Sequence, residues 1–257
     1  MNYNFNFSKE ELLDFLKHEA SVPFSGWDFS YVRGRMVESP LEWGYGSFIK
    51  WVIPHIDSIL DMGTGGGEFL STLQPFPKHT CATEGYDLNY PIAKGRLEPL
   101  GVKVIKHESD DNLPFKDEEF ELIINRHESY STEEVFRILK KNGFFITQQV
   151  GGDNDKKLRE LLTGKSKGEY DLWNVNSTSR DLQIAGYKII EKKECYPTTR
   201  FFDVGAIVFY LAKIPWAIPG FSVEKYFNQL YEINNIIQEI GYLDVSNHRF
   251  FLKAYKP

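Results

Sequence analysis

The chain has 257 residues and a formal net charge of −6, long enough to bury a full core and too acidic for a protein whose main task is wrapping a phosphate backbone. Its two cysteines, Cys81 and Cys195, stand far apart and supply neither a disulfide framework nor a metal-ligand cluster, so no metal is expected. The start lacks a basic region followed by an apolar block, and the longest apolar run, 204–212, is about half what a membrane span needs. The expectation is a cytoplasmic protein with no membrane segment.

Ser8-Lys9-Glu10-Glu11 is a Ser-x-x-Glu capping box, and Leu12, Phe15 and Leu16 follow at helical spacing, which predicts an amphipathic helix over about 9–18. Residues 21–50 are irregular and aromatic, with Phe24, Trp27, Phe29, Tyr31, Trp43 and Tyr45. Two readings stay open for this N-terminal cap, 1–50: a wrap that seals the core, or part of a lid over a ligand.

A helix over 48–56 leads into Ser58-Ile59-Leu60-Asp61-Met62, an apolar strand that runs into Gly63-Thr64-Gly65-Gly66-Gly67 and then a helical pattern from Glu68. Strand, glycine loop and helix together form a place where a ligand can approach the backbone closely. A dinucleotide fingerprint begun at Gly63 would put Glu68 where its last glycine belongs, and a phosphate loop would need a lysine that no glycine here precedes. Both readings fail.

His79 to Glu84 is the second strand, ending in a carboxylate 23 residues after Asp61. In a doubly wound sheet that distance returns an acidic group to the same edge, where it can accept ribose hydroxyls; Asp87 is the fallback. Tyr90-Pro91 opens a helix with Ile92, Ala93, Leu97 and Leu100 on one face, closed by Gly101, and a strand follows over 102–107. Phe120 to Asn125 is a buried strand delivering Asn125-Arg126-His127-Glu128-Ser129-Tyr130 to the ligand-bearing edge. Ser131-Thr-Glu-Glu134 reads as a second capping box, with Lys140-Lys141-Asn142-Gly143 ending that helix, and 144–150 is the next strand. Gln148 and Gln149 precede a loop at the same edge. Helices over 155–162 and 178–185 surround an exposed loop at 165–170, and a strand spans 187–195. Residues 196–222 are an apolar insert longer than a simple connection needs, with two readings open: a roof and substrate pocket over the cleft, or a helix that completes a hydrophobic core or makes a dimer contact. A clean helix over 222–241 and an alternating strand from His248 finish the chain, with His248 structural.

Asp-x-Gly-x-Gly-x-Gly, carried by Asp61, Gly63, Gly65 and Gly67, resembles the first motif of class I S-adenosylmethionine-dependent methyltransferases. Leu113-Pro114-Phe115 resembles the family's segment beside the adenine ring, and on that alignment Ser109 occupies the usual aspartate's position, with Asp110 the preferred substitute. The chain is identified as a member of the small-molecule, ubiquinone/menaquinone-methyltransferase type. The resemblance implies one α/β domain over 1–257. Its core would be a Rossmann-like doubly wound seven-stranded sheet, mostly parallel with one antiparallel strand, plus the N-terminal cap and the 196–222 lid insert.

It further implies S-adenosyl-L-methionine held by Asp61, Gly63, Thr64, Gly65, Gly67, Glu84, Gly85, Ser109 or Asp110, Asn125 and Arg126. Arg126 could also bind an acidic substrate or, as the simpler role, pair with a nearby carboxylate. For a hydroxyl or amine acceptor, His127 is the best-placed base, with Glu128 and Tyr130 next. The expected partner is a small-molecule methyl acceptor, the protein being a monomer or homodimer. An RNA methyltransferase and a cofactor-binding protein without transfer are the rivals.

Overall fold

The computed structural model describes residues 7–25, 28–168 and 170–257. Trp27 of the aromatic stretch, Glu169 of the exposed loop and residues 1–6 lie outside them. In chain order the elements are α1 (Lys9–Ser21), β1 (Met36–Glu38), α2 (Tyr45–Val52), β2 (Ser58–Met62), α3 (Glu68–Ser71), β3 (His79–Glu84), α4 (Tyr90–Leu97), β4 (Lys103–Lys106), β5 (Phe120–Arg126), α5 (Thr132–Ile138), β6 (Leu139–Val150), α6 (Lys156–Thr163), α7 (Val175–Ile184), β7 (Lys188–Cys195), β8 (Thr198–Phe201), α8 (Val204–Lys213), α9 (Val223–Ile240), β9 (Leu243–Ser246) and β10 (Arg249–Tyr255).

Seven strands form one sheet in the order β4-β3-β2-β5-β6-β10-β7, and β10 alone runs against its neighbours. The expected seven-stranded, doubly wound sheet with one reversed strand is therefore what the chain adopts. Strand order reverses between β2 and β5, so the carboxyl ends of β2, β3 and β5 open a crevice at that point. One face of the sheet buries Ile49, Leu70, Ala93 and Leu97 from α2, α3 and α4; the other buries Val135, Ile138 and Leu182 from α5 and α7.

The N-terminal segment and the insert make a second body. Strands β1, β8 and β9 pair antiparallel in a small sheet of their own. Leu12 and Leu16 of α1 share a core with Ile207, Leu211, Leu230, Ile233 and Ile237 of α8 and α9, and with Leu158 of α6. Each fully buried leucine or isoleucine there contributes about 1.5–3 kcal/mol through removal of apolar surface from water. Arg35 ties this body together, meeting Asp203 at 2.7 Å and Glu19 at 3.1 Å. The sequence shows the apolar excess of 196–222, whereas the strand β8 inside it depends on pairing with residues 36–38, far away in the chain.

Several local expectations change. Helix α5 stops at Ile138, and Leu139 is already extended, so Lys140 to Gly143 lie in β6 rather than at a helix end. The β6 backbone is recruited early because Leu139 pairs with Phe120. Only half of the second capping box forms: Ser131 Oγ accepts the Glu134 N–H at 3.3 Å, but the Glu134 carboxylate turns to Arg137 and to the Leu113 N–H. A guanidinium outcompetes a neutral backbone donor for a carboxylate. On α4, Ala93 and Leu97 are buried, while Ile92 and Leu100 face outward. The first capping box at Ser8 and Glu11 forms as predicted.

Candidate functional site

The loop after β2 is built from behind. Asp61, buried at the strand end, accepts the Thr64 hydroxyl at 2.7 Å. Thr64 in turn donates its N–H to Thr83 of β3 and accepts that of Gly67. Burial pushes the Asp61 carboxyl up to about 6, against the pull of the Thr64 hydroxyl and Arg126. Gly63 has φ +61, and an ideal Cβ on it would stand 2.3 Å from Glu128 Cγ, so no side chain fits. A Cβ on Gly67 would meet Leu97 at 2.7 Å; that glycine admits α4 against the loop.

In front of the loop lies a cavity of about 480 Å³. Met62 and Gly63 form its floor at β2, Thr83 to Asp87 one wall, His107, Glu108, Asp110 and Leu113 another, and Glu128 and Ser129 close it from β5. Of the expected cofactor residues, Gly63, Glu84, Gly85 and Asp110 reach the wall. Asp61, Thr64, Gly65 and Gly67 shape the loop from behind it. Ser109 is not on the wall, because its hydroxyl accepts the Asp111 N–H at 3.3 Å in a local turn. Asn125 is fully buried, and its carboxamide is used by Thr147, Gln149 and the Ser129 carbonyl.

The wall is acidic. Glu84 accepts the Tyr86 N–H at 2.8 Å, and burial raises its carboxyl while this and the N–H groups of Gly65 and Gly85 restrain it. Asp87 is held by Lys106 at 2.6 Å, leaving Glu84 as the freer acceptor. Glu128 keeps solvent contact along its length, yet desolvation, Glu84 and Asp110 together push its carboxyl up to about 7.

At the end of β5 the other expected groups separate. Arg126 is exposed, lies 4.4 Å from the Phe69 ring centroid, and meets no carboxylate at ion-pair distance among the described residues. The simpler pairing role does not hold for it. His127 has φ +61, and its Nε2 faces the Gln148 amide nitrogen at 3.1 Å. Trp43, which can only donate, fills the Gln148 carbonyl at 2.9 Å, so the amide N–H points at His127 and Nε2 must be the accepting nitrogen. Desolvation, Arg249 and Arg126 lower the imidazole to about 3. The Tyr130 hydroxyl is buried without a partner beside Phe145 and Trp173, and burial raises it far above its ordinary value.

Residues 60–147, about a third of the chain, match the family model described as a methyltransferase domain. This methyltransferase fold is shared with a Bacillus halodurans protein named as a candidate methyltransferase, at 18% identity over 82% of this chain and 98% of that one, TM-score 0.58. A methyltransferase of Geobacter sulfurreducens, solved with S-adenosyl-L-homocysteine, aligns at 14% identity over 86% of this chain and 94% of that one, TM-score 0.50. The cyclase SpnF aligns at 13% identity over 98% and 97%, TM-score 0.51. At these identities the likeness is one of fold. A search of curated proteins returns no match. The family model names the domain and no subtype, so the ubiquinone/menaquinone type finds no support there.

Sequence reasoning missed Tyr86, His107, Glu108 and Ser129 on the wall. His107 carried a signal, being the residue that directly follows β4, as Gly85 follows β3 and His127 follows β5.

Proposed function

We propose that this methyltransferase binds S-adenosyl-L-methionine in the acidic cavity and transfers its methyl group to a small molecule. The cavity wall carries the reading: Glu84, Asp110 and Glu128 converge on one space beside a glycine floor. That lining suits a sulfonium and an ammonium and repels a pyrophosphate.

Glu84 accepts the ribose hydroxyls, Asp110 faces the adenine amine, and Arg126, at ion-pair distance from no carboxylate among the described residues, takes the carboxylate of the methionine end. The bound cofactor supplies an already electrophilic methyl, so the chain's task is to orient an acceptor and exclude water. His127 serves as a hydrogen-bond donor through Nδ1–H rather than as a base, and Tyr130 as packing. The acidic rim and net charge of −6 favour a small acceptor over RNA. No helix among the described residues is long and apolar enough to cross a membrane. Two free buried thiols suit a reducing cytoplasm.

Calorimetry with S-adenosylmethionine and S-adenosylhomocysteine tests this. Binding of one or both at a single site is expected, and no binding of either overturns it. Salt-sensitive binding of RNA would move the acceptor to the rival class.

A further inference from the structure

Glu128 stands where the two ends of the cavity meet. A Cβ on Gly63 would lie 2.6 Å from its Cβ and 2.7 Å from its Oε2, so the side chain rests on the first glycine of the loop. Its carboxyl is also within electrostatic reach of Glu84, at the end of β3, and of Asp110, in the loop after β4. No cation is among the groups acting on it. The placement is built in: the left-handed backbone at His127 turns the chain back over the loop, and Gln149 Nε2 holds the Glu128 carbonyl at 2.9 Å.

A cofactor whose ribose is at Glu84 and whose methionine end is on the Gly63 loop has its sulfur between them, because the sulfur joins those two parts covalently. Glu128 borders the same interval. In the transfer the S–CH3 bond breaks, its electron pair stays on sulfur, and a bond forms from the acceptor's lone pair to the methyl carbon. The charge on sulfur falls from +1 to zero. Three carboxylates that faced a cation then face a neutral thioether.

We propose that Glu128 reads the charge on the cofactor's sulfur, so that the site holds the sulfonium form and expels the thioether product. This rests on the cofactor assignment made above. It assigns Glu128 to the cofactor side of the reaction rather than to proton abstraction from the acceptor.

The test is calorimetric affinity for S-adenosylmethionine and S-adenosylhomocysteine in the wild type, Glu128→Gln and Glu128→Asp. The wild type is expected to bind the sulfonium at least about tenfold tighter, roughly the effect of one partly screened charge contact. In Glu128→Gln the two affinities converge to within about threefold, chiefly by loss of sulfonium binding, while Glu128→Asp keeps the preference. An unchanged ratio in Glu128→Gln, or an equal loss of both ligands, overturns the proposal, as does a wild type that binds the thioether as tightly. If neither ligand binds the wild type, the cofactor assignment fails instead. Should Glu128→Gln not fold, the wild-type affinity ratio is measured across pH: it should decline as pH drops through about 7, and a flat ratio overturns the proposal.

Discussion

Gln148 donates its amide N–H to His127 Nε2 at 3.1 Å, because the Trp43 indole already occupies the Gln148 carbonyl. The imidazole is thereby fixed in its neutral Nδ1–H form, beside the positive charges of Arg126 and Arg249. His127 is then expected to show no titration between about pH 5 and 8 by NMR, since its proton affinity is lowered to about 3. Gln148→Glu replaces a donor with a carboxylate and should raise the imidazole into the observable range. A wild-type ring that titrates near its ordinary value would remove this arrangement.

Glu84 ends β3 and Asp87 lies just beyond it, and of the two Lys106 engages only Asp87. Glu84→Ala should weaken S-adenosylmethionine binding by about ten- to a hundredfold, the range for losing hydrogen bonds to a charged acceptor. Asp87→Ala should change it by less than about threefold. Calorimetry on the two variants checks the ranking, which reverses if Asp87 holds the ribose.

Gly63→Ala meets two obstacles at once, a φ of +61 and a Cβ 2.3 Å from Glu128 Cγ. The backbone strain alone costs about 1–3 kcal/mol. Thermal unfolding should show a lower midpoint, and the displaced Glu128 should lower cofactor affinity as well. Gly164→Ala, also at positive φ but with no neighbour within 4 Å of the added carbon, should show the strain without the loss of binding.

Burial raises Glu128 to about 7 and Asp61 to about 6, so in both the folded protein prefers the protonated carboxyl. For an acid with a raised folded value, the destabilisation is absent below its unfolded value, near 4, and grows as pH rises through the folded one. His127, lowered to about 3, works the opposite way, losing stability as pH falls below about 6.5. Subtracting Glu128→Gln from wild type isolates one carboxyl: the melting-temperature difference should move against the wild type between about pH 4.5 and 7. Saturating S-adenosylmethionine should diminish that trend, because a cation in the cavity removes its electrostatic cause. A difference that is flat with pH would show that Glu128 lies outside the electrostatic reach of Glu84 and Asp110.

The sheet was legible because its signals are local. Buried strands appear as short apolar runs, and Gly63 to Gly67 and Glu84 announce themselves by spacing. Pairings between strand ends are not written that way. Trp43 and Gln148 are 105 positions apart, and their contact follows from which face each occupies after the sheet twists and α2 docks. Spacing offered both Ser109 and Asp110; the loop after β4 turns the Ser109 hydroxyl to the Asp111 N–H and leaves Asp110 on the cavity wall.

By itself, then, the sequence determined the α/β architecture, the glycine loop and a carboxylate at the end of β3, since periodicity and covalent spacing are properties of neighbouring residues. Only the tertiary structure placed the side chains at the end of β5. A left-handed turn at His127 set Glu128 on Gly63, and an amide from β6 faces Nε2 of the imidazole that spacing alone had offered as a base. Contact across strands depends on register and backbone twist, which no local pattern encodes.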